Sequence, residues 1–198
     1  MHLTKKGEYA LRTLIRLGIA QRQGKDVVSV SNLAEGENLP FKFIENILQE
    51  LRLAGYVESK RGKEGGCRLA KPQVDITIGE VVRLIDGRLA PIGCASETDY
   101  ERCTCPDEHH CGLRMLMIDV RNAIAQILDR YTLADVVSVT LRKMERDGVQ
   151  LPFEPEPEKP AKNKPQRVTK PNRVRHADPL DGFLTLLTKN QNPLSPTP

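Results

Sequence analysis

No apolar run in the 198-residue chain approaches the roughly 18 to 20 residues that a membrane-spanning helix needs. The opening residues, MHLTKKGEYALR, lack the apolar h-region of a secretory signal. Together these absences predict a cytoplasmic protein that makes no membrane contact. There is no nucleophile–His–acid constellation, no phosphate-binding glycine loop and no pocket motif, which argues against an enzyme. Cysteines number only five, and none fall in the C-x2-C pairs of zinc ribbons or in ferredoxin-type runs. In a reducing compartment those five are also poor candidates for permanent disulfides. A hydrophobic content of 39% is enough for one substantial core and little more.

What charge there is lies unevenly. Residues 1–75 hold 13 Lys/Arg against 9 Asp/Glu, residues 76–150 hold 9 against 12, and residues 151–198 hold 8 against 5. The basic ends suggest a polyanionic partner. Ten of the 14 prolines lie beyond residue 151, among polar runs such as KPAKNKPQRVTKPNRVRH. That composition cannot bury enough apolar surface to offset its ordering entropy, so residues 149–198 read as a disordered, Pro-rich basic tail that can add salt-sensitive affinity for nucleic acid.

Ahead of the tail the apolar periodicity is helical. TKKGEYALRTLIRLGIAQRQ places Tyr9, Leu11, Leu14, Ile15, Leu17 and Ile19 near one face and stops at Gly24. VVSV reads as a short strand or turn, and Ser29 or Ser31 caps a short helix that closes between Gly36 and Asn38. After Pro40, FKFIENILQELRLAG turns Phe43, Ile44, Ile47, Leu48 and Leu51 inward. Helix, short helix, turn, helix is the order of a helix-turn-helix. YVESKRGKEGGCRLAKP follows at once, with strand-like residues on both sides of Gly65 and Gly66 and with Lys60, Arg61 and Lys63 at the tip. A recognition helix followed by a basic hairpin is a winged helix, whose helix enters the major groove of double-stranded DNA.

Four cysteines, Cys94, Cys103, Cys105 and Cys111, occupy an 18-residue stretch, residues 94–111, with the pattern C-x8-C-x-C-x5-C. By spacing alone they are a metal site, redox-active thiols or incidental residues. The helix after them, LRMLMIDVRNAIAQILDRY, has Leu113, Leu116, Met117, Val120, Ile124, Ile127 and Tyr131 in steps of three and four, without Gly or Pro. That seam can face a second copy, its own domain, or both.

LTKKGEYALRTLIRLG, LPFKFIENILQELRLAGYVESKRGKEGG with CRLAKP, ITIGEVVRLIDG and TLADVV together resemble the iron–sulfur and sulfur-metabolism repressors typified by IscR, NsrR and CymR. The resemblance covers residues 1–146 and leaves the tail outside. It implies a mainly α fold with a small β-wing: a winged helix-turn-helix domain (1–75), a linking helix (76–93), the cysteine loop (94–111), and a dimerisation helix with a following helix (112–148). It further implies a homodimeric transcription regulator, a repressor of a pseudo-palindromic operator.

In cluster-bearing members of this group three loop cysteines ligate an iron–sulfur cluster, 2Fe–2S with 4Fe–4S as the alternative. The resemblance maps these onto Cys94, Cys105 and Cys111, with Cys103, in an insertion, as the alternative middle ligand. A fourth donor is in some relatives a His soon after the last cysteine, but position 114 is Arg. In others it is a carboxylate near the start of the first helix of the partner subunit, which Glu8 matches. The adjacent His109 and His110 are further candidates. On the DNA side, Phe41 to Asn46 form the N-terminal turns of the recognition helix, and the outward residues Lys42, Glu45 and Asn46 can reach base edges or phosphates, where Glu can accept from cytosine and Asn can pair with adenine. Lys60, Arg61 and Lys63 fall on the wing, with Arg61 suited to a phosphate or the minor groove. Cys67, where relatives carry a bulkier residue, reads as a strand residue without a ligand role. Alternatives to the cluster are control by zinc, by thiol redox chemistry, or by a sulfur-metabolism protein partner.

Overall fold

Thr4 opens the first helix, α1 (Lys5–Arg22), by accepting a hydrogen bond from the Gly7 N–H. The helix stops at Gln23, after which Gly24 takes a φ of 77°. The computed structural model describes residues 3–62 and 65–153. In it α2 (Val30–Glu37) is capped by Ser29, whose side chain accepts from the Asn32 N–H, so Ser29 and not Ser31 fills that role. The helix ends at Asn38 in the left-handed region (φ 54°, ψ 48°), a conformation Asn tolerates better than most residues. Pro40 then leads into α3 (Phe41–Leu53), which buries Ile44, Ile47, Leu48 and Leu51. Phe43 stays half-buried, its ring edge-on to Tyr9 of α1 at 5.7 Å.

The wing is an antiparallel pair, β1 (Val57–Lys60) and β2 (Gly66–Leu69), in the register Val57 to Leu69 and Lys60 to Gly66. The strand-like VVSV contributes a single bridging residue. The Val28 N–H donates to the Cys67 carbonyl (3.0 Å), and the Cys67 N–H returns to the Val28 carbonyl (2.8 Å). This explains the second glycine of the pair: Gly66 is a strand residue, not part of the turn, and a Cβ there would collide with the backbone of Val28.

Two capping boxes organise the rest. Thr77 and Glu80 open α4 (Ile78–Asp86), and Thr132 and Asp135 open α6 (Leu133–Arg146). The two caps are bridged, Ile78 N–H to the Tyr131 carbonyl (2.9 Å) and Leu133 N–H to the Ile76 carbonyl (2.8 Å). Between them runs α5 (Gly112–Arg130). Helix α6 returns to the head: Leu133 and Val137 are fully buried with Ala10, Leu14, Ile44, Ile47, Leu51 and Ile76 in one core. Gly18 of α1 permits that approach, since an added Cβ would lie 2.7 Å from Val137 Cγ2.

The tail expectation is modified at its start. Phe153 packs on the core under Arg16 and Lys25, each 5.2 Å from its ring, and its N–H donates to Gln23 Oε1 at 3.2 Å. From residue 154 onward the expected disorder lies outside the described residues, as does Lys63. Among the described residues no helix is long and apolar enough to cross a membrane.

Candidate nucleic-acid interface and cysteine site

On α3 the face opposite the buried stripe carries Lys42 and Asn46 exposed to solvent and Glu45 half-exposed, with Lys42 paired to Glu45 at 3.0 Å. Arg52 lies seven residues beyond Glu45 and so on the same face. It donates to Ser59 Oγ of β1 at 3.3 Å and thereby ties the helix to the wing. The 200 Å³ groove between them is lined by Lys42, Glu45, Asn46, Arg52, Ser59 and Cys67. The structure therefore brings the helix residues singled out in the sequence together with the wing base, while Lys60 and Arg61 extend exposed at its far end. Arg52 and Ser59 were missed by sequence reasoning; helical periodicity from Glu45 is the signal for the first. Burial pushes the Cys67 thiol up, against the opposing influence of Ser59 and Arg52, so it is a neutral groove-floor residue.

The stretch between α4 and α5 is strapped down by arginines. Arg114 of α5 donates through Nε to the Cys94 carbonyl (2.9 Å) and faces Glu108 at 3.2 Å. Arg121, two turns on, donates to the Ala95 carbonyl (2.8 Å) and pairs with Glu97 at 3.1 Å. Arg88 holds Glu101 at 2.6 Å, and the Tyr100 hydroxyl donates to Glu108, also at 2.6 Å. The loop is consequently not the uniformly exposed segment its polarity suggests. Cys94 is buried in a 3₁₀ turn (Gly93–Ala95), Cys103 and Cys111 are half-buried, and Cys105 is exposed.

The loop thiols influence one another electrostatically, and Cys111, the last of them, is the N-cap residue of α5. Desolvation and then Cys103 push the Cys94 thiol up; Cys103, followed by Cys111, pushes Cys105 up to about 11. Crowded thiols resist ionising together, a penalty that a bound cation removes. Among the described residues no three Cys, His, Asp or Glu side chains converge as they would on a single metal ion. Four free cysteines in one loop make an all-sulfur donor set, which suits iron–sulfur chemistry. Beside the thiols a 490 Å³ depression is lined by Tyr100, Arg102, Cys105, Glu108, His109 and Arg114. His110 is turned aside onto Asp107 at 2.7 Å.

Glu8 stands apart. On the first turn of α1 it pairs with Lys5 (2.8 Å) and Arg12 (3.5 Å), and the Lys5 hydrogen bond holds its carboxyl below the ordinary range. Among the described contacts of one protomer none joins it to a loop cysteine, so a ligand role requires a second copy.

Helix α5 buries no residue. Leu113, Leu116 and Ile127 are 60%, 55% and 59% exposed, Val120 borders on them, and Ile124 is half-buried. What fastens the helix to the protomer is polar: Arg83 of α4 grips Asp129 through two hydrogen bonds of 2.6 and 2.7 Å.

Comparison with known proteins places this architecture. A family model described as Rrf2, iron-dependent transcriptional regulator, matches residues 3–139. NsrR of Geobacillus kaustophilus is 35% identical over 137 residues, covering 69% of this chain and 90% of its own. CymR of Bacillus subtilis is 31% identical over 140 residues, covering 71% and 92%. Among solved structures, that of CymR, the global cysteine regulator of B. subtilis, superposes with a TM-score of 0.57 at 29% identity, covering 70% of this chain and 98% of that one. T. potens IscR gives 0.55 at 26% identity, covering 76% and 93%. These relatives are regulators and not enzymes, as the sequence led us to expect. The chain belongs to the Rrf2 family of winged-helix, DNA-binding transcription regulators.

Proposed function

We propose that the protein is a homodimeric repressor that senses redox, iron or sulfur status through an iron–sulfur cluster, 2Fe–2S in preference to 4Fe–4S, held by the cysteine loop. The observation that carries this reading is the gathering of four free cysteines into one loop that ends at the N-terminus of a helix whose apolar face the protomer leaves uncovered. Cys94, Cys105 and Cys111 supply three thiolates, and the fourth donor is either the partner subunit's Glu8 or a further group within the loop. Two copies of α5 pairing through Leu113, Leu116, Val120 and Ile127 space two winged heads for two half-sites. Lys42, Glu45 and Asn46 read the major groove, and Lys60, Arg61 and Lys63 engage the flanking backbone or minor groove.

A bound cluster supplies iron–thiolate bonds that are sensitive to oxidant, nitric oxide and iron supply. The chain does the rest. Arg114 and Arg121 fix the Cys94 turn to α5, the Arg83–Asp129 pair fixes α5 to α4, and Asp86 at the end of α4 accepts from the Thr4 N–H (3.0 Å) at the start of α1. A shift at the thiols thus has a mechanical route to the DNA-reading head. A coupling of about 1–3 kcal/mol between the two sites changes operator affinity 5- to 150-fold.

The test is the visible spectrum, with iron and acid-labile sulfide content, of protein purified without air. A coloured protein with matched iron and sulfide that bleaches in Cys105→Ser or Cys111→Ser supports the reading. A colourless chain that still binds its operator after attempted reconstitution overturns it, in favour of zinc, thiol chemistry or a protein partner as the switch.

A further inference from the structure

Helix α6 does not simply release the chain at its end. Gly148, at a φ of 63°, reverses its course, with the Gly148 N–H donating to the Glu145 carbonyl (3.2 Å) and the Val149 N–H to the Met144 carbonyl (2.9 Å). The chain then returns to the head. Phe153 packs on the core with its ring 5.2 Å from both Arg16 and Lys25, and its N–H donates to the side chain of Gln23, the C-cap residue of α1. Lys25 stands three residues before Val28, whose backbone pairs with Cys67 in the groove between recognition helix and wing. The docked ring therefore fixes where the tail starts, and it starts on the head.

From Lys159 to His176 the sequence carries seven Lys/Arg and no Asp/Glu. Residues 1–75 carry 13 against 9, and part of that charge is neutralised within the protomer: Lys42 pairs with Glu45, Lys6 with Glu50 and Arg68 with Glu58. We infer that residues 159–176 are a second DNA-binding element, which Phe153 roots on the head so that it engages phosphates flanking the operator. Duplex DNA is favoured over RNA or an anionic lipid surface because the head already binds it. Lys159 follows Phe153 by six residues, a reach of at most about 20 Å, and a tether that short presents its charges to the bound duplex at high local concentration. The inference rests on the DNA-binding part of the proposed function and not on the cluster.

The experiment uses the full-length chain as wild type, as a variant with the seven Lys/Arg of residues 159–176 replaced by Gln, and as Phe153→Ala. The probe is the operator that the wild type selects from a random duplex pool, placed in duplexes of about 25 and about 60 base pairs, the shorter just spanning two half-sites. Affinity is read by fluorescence anisotropy against salt. A photocrosslinking benzoylphenylalanine in place of Asn163 reports where the tail meets the duplex, and far-UV circular dichroism with melting reports folding. The Gln variant alters no described residue, so it tests the charge whatever Phe153→Ala does to stability.

At low salt the wild type is expected to bind the longer duplex at least tenfold tighter than the shorter, and the Gln variant to bind the two within threefold. The Gln variant is also expected to lose at least 3 from the slope of log affinity against log salt on the longer duplex, out of the roughly 6 that seven phosphate contacts supply. Crosslinks from position 163 are expected in the flanks, within about 10 base pairs of the operator's edge, and are expected to spread further out in Phe153→Ala. Wild-type affinity and slope in the Gln variant, or loss of binding only to single-stranded RNA or phosphatidylserine vesicles, overturns the inference. So does an identical crosslinking pattern with and without the Phe153 ring. A wild type that selects no operator overturns the DNA-reading assignment as well.

Discussion

Helix α3 runs for 13 residues and buries Ile44, Ile47, Leu48 and Leu51, whereas α5 runs for 19 and buries none. Both are amphipathic, so the difference is not in the pattern but in whether the protomer supplies something to cover it. The apolar side of α3 meets α1, α2 and the wing. Among the described residues the main neighbours of α5 are the short turn at Cys94 and the side of α4, and polar bonds from Arg83, Arg114 and Arg121 hold it there. The head is therefore stabilised by burial, which is insensitive to metal and little affected by salt. The loop and α5 depend on charge pairs, thiols and, in our reading, a second copy. A regulator benefits from that division, because the part that must respond is not the part that keeps the chain folded.

The sharpest way to break the comparison is to cut equivalent side chains from the two helices. Ile47→Ala, at a fully buried position, is expected to destabilise the head by about 2–5 kcal/mol in denaturant unfolding. Leu116→Glu or Ile127→Glu on α5 is expected to leave far-UV helicity intact but to weaken self-association at least tenfold, roughly 1.4 kcal/mol, in sedimentation equilibrium. If the α5 variants unfold the chain as Ile47→Ala does, the two helices are not different in kind.

Arg114 tests the loop's side of the contrast. Arg114→Ala removes the bond to the Cys94 carbonyl and the pair with Glu108, and is expected to shorten cluster lifetime by about 10- to 100-fold. The unfolding midpoint of the cluster-free chain is expected to change by less than the equivalent of about 1 kcal/mol. A smaller effect belongs to the wing: Arg61→Ala, at an exposed position, is expected to weaken operator binding uniformly across sequences and to reduce the slope of log affinity against log salt by about 1.

The head was legible because its signals are local. Apolar residues at helical spacing, the cap at Ser29 and Asn38 before Pro40 act within a few residues of themselves, and the structure follows them. What escaped is what joins distant residues. Val28 completing the wing against Cys67, α6 returning to fill the head's core, and Phe153 docking under Arg16 all depend on tertiary approach. The same holds in the loop. Its four cysteines stood out by composition, but Arg114 and Arg121 reach back 20 and 26 residues to backbone carbonyls, which no spacing rule anticipates. Position 114 stood out in the sequence only as a missing histidine, and proves to be a strut. The exposed apolar stripe of α5 was visible as a stripe; only the protomer's structure separates it from a core helix.

The finest discrimination is electrostatic. The Arg83 guanidinium holds the Asp129 carboxyl below its ordinary value, and the hydrogen bond outweighs the opposing desolvation. For a carboxyl whose folded pKa is depressed, the stabilisation is complete above the unfolded pKa of about 3.9 and is lost as pH falls through the folded value. Both side chains are substantially exposed, at 32% and 43%, so solvent screening limits the effect to less than about 1 kcal/mol. Asp129→Asn is accordingly expected to lower stability slightly at neutral pH, with the gap from wild type closing below about pH 4. Because the pair lies between α4 and α5, raising salt should shrink the neutral-pH gap too, while Ile47→Ala keeps its full cost under the same conditions. Equal salt sensitivity in the two variants would mean that α5 is anchored by buried apolar contact after all, and that its exposed face is not its defining property.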